Sequence, residues 1–226
     1  MSRNLLVVGG SRGIGAAVAK HFSEAGDRVF SVSRTPAAAG QWIRADMAIA
    51  VGIEQVAIAL QGVDLDALLF MGGVWEAQAF TEQYDFLASP DVETRFVLAV
   101  NAIAPIELTK QLVGNLQRSV NPRAIYIGAL SGLDHCPSVE VANTASKFAL
   151  RGAVQALRLA LQGTNIGFTV INPGNIATAE VVDDIQAGRF APQVAIPLTD
   201  LISAIDWLLS LSSAVDVSEV NFYQKR

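Results

Sequence analysis

Cysteine and histidine are nearly absent from this chain. Cys136 is its one cysteine and His21 and His135 its two histidines, which excludes an intramolecular disulfide and leaves no recognisable zinc ligand set. Charge is sparse as well: 16% of residues are charged, and 16 basic against 21 acidic side chains give a formal charge of −5. Without a broad positive field to meet a phosphate backbone, nucleic-acid binding is not expected. Long apolar runs are missing near the start. The opening MSRNLLVVGG reaches glycine after a stretch too short for a signal peptide or a membrane span, so a soluble, cytoplasmic protein with no membrane partner is expected. What is present is a hydrophobic content of 51%, which excludes disorder and suits strands covered by helices on both faces.

The pattern along the 226 residues alternates strand and helix. Residues 4–8 are apolar and aliphatic, a glycine run follows, and Ala16, Val18, Ala19, Phe22 and Ala25 recur at helical spacing until Gly26. Strands are predicted at 28–32, 42–44, 65–71, 124–127, 166–171 and 217–222, with helices at 51–60, 92–116, 142–161 and 198–209. Pro105 falls inside the run 92–116, where it either starts a new helical segment or kinks the old one. Residues 172–197 are the least regular and read as a flap over a site. The expected fold is a single doubly wound α/β domain of Rossmann type over residues 1–226, with a parallel sheet of about seven strands.

Gly9, Gly10, Ser11, Arg12, Gly13, Ile14 and Gly15 stand where the first strand feeds the first helix. Missing side chains let backbone approach a pyrophosphate, and the helix N-terminus supplies free amides and partial positive charge. No lysine and hydroxyl pair closes the run, so a nucleoside-triphosphate loop is disfavoured. Arg34 follows the second strand, where a dinucleotide fold often carries an acid for the ribose hydroxyls. An arginine there meets a 2′-phosphate instead, and Arg12 adds a second charge, so NADP is expected, with NAD as the alternative. Asp46, with Met47 beside it after the third strand, either accepts from the adenine amino group or caps the helix that follows.

The chain resembles the short-chain dehydrogenase/reductase family over nearly its whole length. The family's TGxxxGxG turn stands as GGSRGIG with Gly9 in the threonine position, and its Asn-Asn-Ala-Gly as MGGV, which includes Gly72 and Gly73. The family asparagine matches Asn101 in VNAIAP, its lysine Lys147 in NTASK, and its proline-glycine strand end Pro173 and Gly174 in INPGNIAT, with Ile176 and Thr178 following. The resemblance implies that Lys147 binds the nicotinamide ribose, Asn101 anchors a water, and Thr178 meets the nicotinamide carboxamide.

Two positions depart from the family. Its tyrosine, four residues before the lysine, is Asn143, which cannot titrate. Its serine falls on Ala129 in IGALSG. Ser131 either recovers part of that role or belongs to the turn, and His135, on the loop between strand and helix, is either a general acid or a surface residue. Tyr126 alternates away from the site and is expected in the core. The tail SEVNFYQKR lacks the glycine pair of many relatives. The expected function is NADP-dependent reduction of a small conjugated enone or dienol. Behind it stand ordinary ketone or alcohol chemistry with a substituted proton donor, and a dinucleotide-binding homologue without turnover that senses redox state or supports a partner subunit. Surplus apolar residues on the helices predicted at 92–116 and 142–161 point to a homodimer or homotetramer.

Overall fold

The computed structural model describes residues 2–190 and 192–225. Seven strands form one sheet: Asn4–Val8 (β1), Arg28–Ser33 (β2), Gln41–Arg44 (β3), Ala67–Phe70 (β4), Arg123–Ile127 (β5), Gly167–Pro173 (β6) and Glu219–Phe222 (β7). Every neighbouring pair is parallel, in the order β3-β2-β1-β4-β5-β6-β7. Parallel strands need crossovers, and helices supply them on both faces. They are Gly13–Glu24 (α1), Ala50–Ala59 (α2), Asp91–Leu98 (α3), Ala104–Gln117 (α4), Val141–Ala160 (α5), Ala179–Gln186 (α6) and Leu198–Ser210 (α7).

The two-residue strand period sorts β1 between two cores. Leu6 and Val8 join α2, α4 and α5 through Ile53, Val56, Leu108, Leu112, Leu150 and Val154. Leu5 and Val7 face the other way and join α1 and α7 through Val18, Phe22, Leu201 and Ile205. Each such side chain contributes about 1.5–3 kcal/mol when fully buried. Continuous apolar strands follow from cover on both faces.

The run containing Pro105 is one continuous helical stretch, Asp91–Gln117. α3 passes into one π-helical turn, Ala99–Ile103, and α4 continues from it with Pro105 in its first turn. By length and composition Asp91–Gln117 is apolar enough to cross a membrane. Leu108, Leu112 and Leu116 are nevertheless fully buried against the sheet, the pattern of a core helix. Val92, Ile103, Ile106, Val141 and Phe148 stay exposed on α3, the π turn, α4 and α5. The irregular segment 172–197 contains α6, which buries none of its residues, and an isolated parallel bridge from Ile176 to Ile196.

Candidate active site

The chain reverses its winding direction beside β1, which pairs with β2 on one side and β4 on the other. Ligands of such sheets bind in the crevice this leaves at the carboxyl ends of the strands. The glycine turn closes the crevice floor. Gly9 has φ +93° and Gly13 φ +55°, both in the left-handed region. A Cβ on Gly9 would lie 2.7 Å from the Gly72 Cα, and one on Gly15 only 2.2 Å from the Gly9 carbonyl oxygen. Arg12, at the N-cap of α1, makes no side-chain capping bond, so its side chain does not cover the first-turn amides. Bare backbone and an uncapped helix start fit a dinucleotide's phosphates.

A cavity of about 430 Å³ runs along this edge. Arg34, Asp46 and Met47 line it together with Gly9, Ser11, Arg12, Gly13 and Ile14. Gly72, Gly73, Ala129, Ser131, Asn143 and Lys147 also line it, as do Pro173, Gly174, Ile176 and Thr178. Three sequence expectations fall elsewhere. Gly15 is buried beneath Gly9 rather than on the wall. His135 is exposed, at φ +63° on its loop and off the cavity lining, so it is not placed to protonate anything there. Asn101 is 2% exposed and stands behind the wall. Its Oδ1 accepts from the Val74 N–H at 2.9 Å, and its Nδ2 donates to the Val74 carbonyl at 2.7 Å and to Ser146 Oγ at 3.0 Å. Ser146 Oγ in turn donates to the Asn143 carbonyl at 2.7 Å. The π turn therefore ties the loop after β4 to α5 instead of presenting Asn101 to a ligand.

The two arginines of the cavity wall stand at its end nearest α1 and β2. Arg12 pairs with Glu180 of α6 at 2.8 Å, both side chains well exposed, and such a pair contributes at most about 1 kcal/mol. A phosphate can displace it cheaply. Arg34 is exposed, with its guanidinium 6.0 Å from the Phe96 ring centroid. Asp46 Oδ1 accepts from the Ala48 N–H at 2.9 Å and closes the turn before α2, whose N-cap is Ile49. The cap expected of Asp46 is thus a turn one step upstream.

At the other end Lys147 is buried, and its ammonium donates to the Ile127 carbonyl at 3.3 Å. Burial pulls its pKa from 10.5 down to about 8, because the charged form loses hydration. Asn143 sits one helical turn earlier and is 4% exposed. Ser131 Oγ is buried with no hydrogen-bond partner among the described residues. Tyr126 lies in the core as expected, its hydroxyl 2.6 Å from Thr109 Oγ1.

Some functional side chains were not foreseen. Glu76, 2% exposed, accepts at Oε1 from the Ala142 N–H at 2.8 Å and from the Asn143 N–H at 3.3 Å, and so caps α5 from a distant loop. Trp75, Phe80 and Phe190 also line the cavity. None belongs to a local motif, and only the tertiary fold brings them there.

A model of the short chain dehydrogenase family matches residues 3–188. The rhamnolipids biosynthesis 3-oxoacyl-[acyl-carrier-protein] reductase of Pseudomonas aeruginosa is 32% identical over 218 residues, covering 87% of this chain and 82% of that one. The 2,3-dihydro-2,3-dihydroxybenzoate dehydrogenase of Escherichia coli is 30% identical over 183 residues, covering 78% of this chain and 70% of that one. Among solved structures, the Pseudomonas aeruginosa RhlG/NADP active-site complex superposes with a TM-score of 0.80 at 27% identity, over 98% of this chain and 94% of that one. A match of this extent, on a glycine-floored crevice of the right shape, decides the family: the chain belongs to the short chain dehydrogenases, NAD(P)-dependent oxidoreductases built on the Rossmann fold.

Proposed function

We propose that the protein interconverts a ketone and a secondary alcohol on a small molecule with NADP(H), and that Lys147 takes the proton-transfer role of the missing tyrosine. The observation that carries this reading is a lysine on the cavity wall whose pKa burial has brought to about 8, next to positions 129 and 143, which offer no titratable proton. A general acid works best when its pKa lies near the working pH, and desolvated lysines serve in this way. When bound, NADPH supplies the hydride in reduction, and NADP⁺ accepts it in oxidation. In reduction Lys147 gives an Nζ proton to the alkoxide oxygen that develops, and water restores it. The Asn143 carboxamide donates a hydrogen bond to that oxygen. The relatives named a 3-oxoacyl reductase and a dihydroxybenzoate dehydrogenase support this class of chemistry ahead of the conjugate reduction that the sequence reading put first.

Conjugate reduction remains a second reading on one observation. Ala129 and Asn143 replace the two hydroxyls that hold a carbonyl oxygen in the family, and an enolate spreads its charge and needs less holding. NADPH carrying deuterium at the transferred position separates the two, with a panel of enones and the matching saturated ketones. Label at the carbonyl carbon is expected. Label β to the carbonyl would replace the first reading with the second, and no transfer to any member of the panel would overturn both.

Arg34 supports NADP over NAD. Replacing Arg34 by alanine removes a charge-assisted contact to the 2′-phosphate, worth about 1.5–3 kcal/mol, so NADP binding should weaken by roughly tenfold to a hundredfold. NAD binding should hardly change. Calorimetric titration with both dinucleotides tests this, and an equal loss for the two would remove Arg34 from the phosphate site.

A further inference from the structure

The substrate half of the cavity carries three aromatic rings from two separate segments. Trp75 and Phe80 come from the loop after β4 and Phe190 from the segment after α6. Phe80 meets Trp75 edge-on at 5.8 Å between centroids, and Phe190 at 6.1 Å with planes 89° apart. Phe80 has φ +65°, a conformation that a bulky residue adopts only when its surroundings enforce it. Its surroundings do. The Phe80 N–H donates at 2.9 Å to Glu140, a carboxylate 3% exposed. Glu76 fastens the same loop to the first turn of α5, and Tyr84 Oη accepts from the Val141 N–H at 3.0 Å. Four bonds thus hold a strained backbone that a glycine would adopt freely, and the ring it presents lines the cavity.

The charges of this half are settled differently. The cations of the cavity wall are Arg12, Arg34 and Lys147. The first two belong to the adenosine end, and the third is bonded to the Ile127 carbonyl. Asp184 is held by Arg189 at 2.6 Å, and Glu180 by Arg12. Among the described residues that line the cavity, no cation beyond these three stands beside the aromatic trio to meet a substrate carboxylate or phosphate. Leu130 and Val181 add apolar surface.

From this juxtaposition we propose that the substrate is an uncharged molecule bearing an aryl group, which seats against Trp75, Phe80 and Phe190 while its oxidisable or reducible carbon reaches Lys147. The proposal rests on the oxidoreductase reading of the same site and names its substrate class. Aromatic pairs gain about 0.5–1.5 kcal/mol beyond the area they bury, which is a factor of roughly 2 to 12 over an alkyl ring of similar size.

Binding to the NADP⁺ complex tests it without turnover, because a ketone cannot be reduced by the oxidised cofactor. The probes are 4-phenyl-2-butanone, its cyclohexyl counterpart and its para-carboxylate, with affinities read by saturation-transfer NMR. The aryl ketone should bind about fivefold tighter than the cyclohexyl one and at least tenfold tighter than the carboxylate. Phe190→Ala should bring aryl and cyclohexyl binding level while NADP⁺ affinity stays as it was. Phe80→Gly should do the same without lowering the unfolding midpoint, since it relieves the positive φ. Equal or tighter binding of the carboxylate, or an aryl preference that survives both variants, would overturn the proposal. Failure of hydride transfer is read separately, by NADPH consumption, and tells against the oxidoreductase reading even where the aryl preference is seen.

Discussion

Lys147→Ala should lower turnover by a hundredfold to ten-thousandfold in both directions, the usual range for loss of a positioned acid–base group. Its pH profile identifies the role. A lysine held near 8 is protonated below that pH, so reduction should be fastest there and fall as pH rises through about 8. Oxidation needs the neutral amine and should rise through the same value. In Lys147→Ala both inflections should vanish together. If Lys147 only anchored the nicotinamide ribose, the variant would raise KM for the cofactor and leave the inflection near 8 in place, and the proton-transfer role would be lost.

The same burial has a thermodynamic consequence. The folded-state pKa of about 8 lies below the ordinary 10.5, so between these values the unfolded chain binds more protons than the folded one. Stability therefore rises with pH across that window, and at neutral pH the buried ammonium costs about 3 kcal/mol. A chain that retains such a lysine in its core tolerates the penalty for chemistry, as the trade-off between stability and activity leads one to expect.

Much of the fold is legible because it rests on local pattern. Leu5, Leu6, Val7 and Val8 are apolar in succession, and only a strand covered on both faces asks for that. Edges are less legible. Residues 65–71 read as one strand, yet the ladder occupies Ala67–Phe70, because the Leu65 N–H bonds to the Asn115 carbonyl and the Asp66 carboxylate accepts from Asn4 and Ser119. The π turn at Ala99–Ile103 has no sequence mark of its own. It accompanies the inward turn of Asn101 toward Val74 and Ser146, contacts 27 and 45 residues away in the chain.

The site divides in the same way. Glycines, Lys147 and the residues from Pro173 to Thr178 sit in motifs whose spacing fixes them on one edge of the sheet, and the cavity runs past them. The acids that shape the wall act across the fold: Glu76 caps α5 from 66 residues away, and Glu140 holds Phe80 across 60. His135 shows the converse. Its position on the loop between β5 and α5 is that of a site residue, but the loop turns it to solvent. The ion pair of Arg12 with Glu180 spans 168 residues and belongs to the same class of long-range fact.

The substitutions at 129 and 143 were legible as absences, and their joint restoration gives the second large effect. Asn143→Tyr alone places an acid on the first turn of α5, but with Ala129 opposite it no hydroxyl fixes the substrate oxygen in front of that acid. Ala129→Ser alone fixes the oxygen and leaves protonation to Lys147. Each single change should therefore raise ketone reduction less than about tenfold, whereas the pair should raise it about a hundredfold, since aim and proton transfer multiply only when both are present. The Ala142 and Asn143 N–H groups donate to the Glu76 carboxylate without involving the side chain at 143, so the helix start should survive the change. Lys147 then serves the tyrosine rather than the substrate, and the reduction profile should lose its fall near pH 8. The measurement is kcat/KM for one aryl ketone across the four variants of this cycle. Additive single effects, or a full gain from Asn143→Tyr alone, would show that Ala129 leaves nothing to restore and that the oxygen is already held without a hydroxyl at 129.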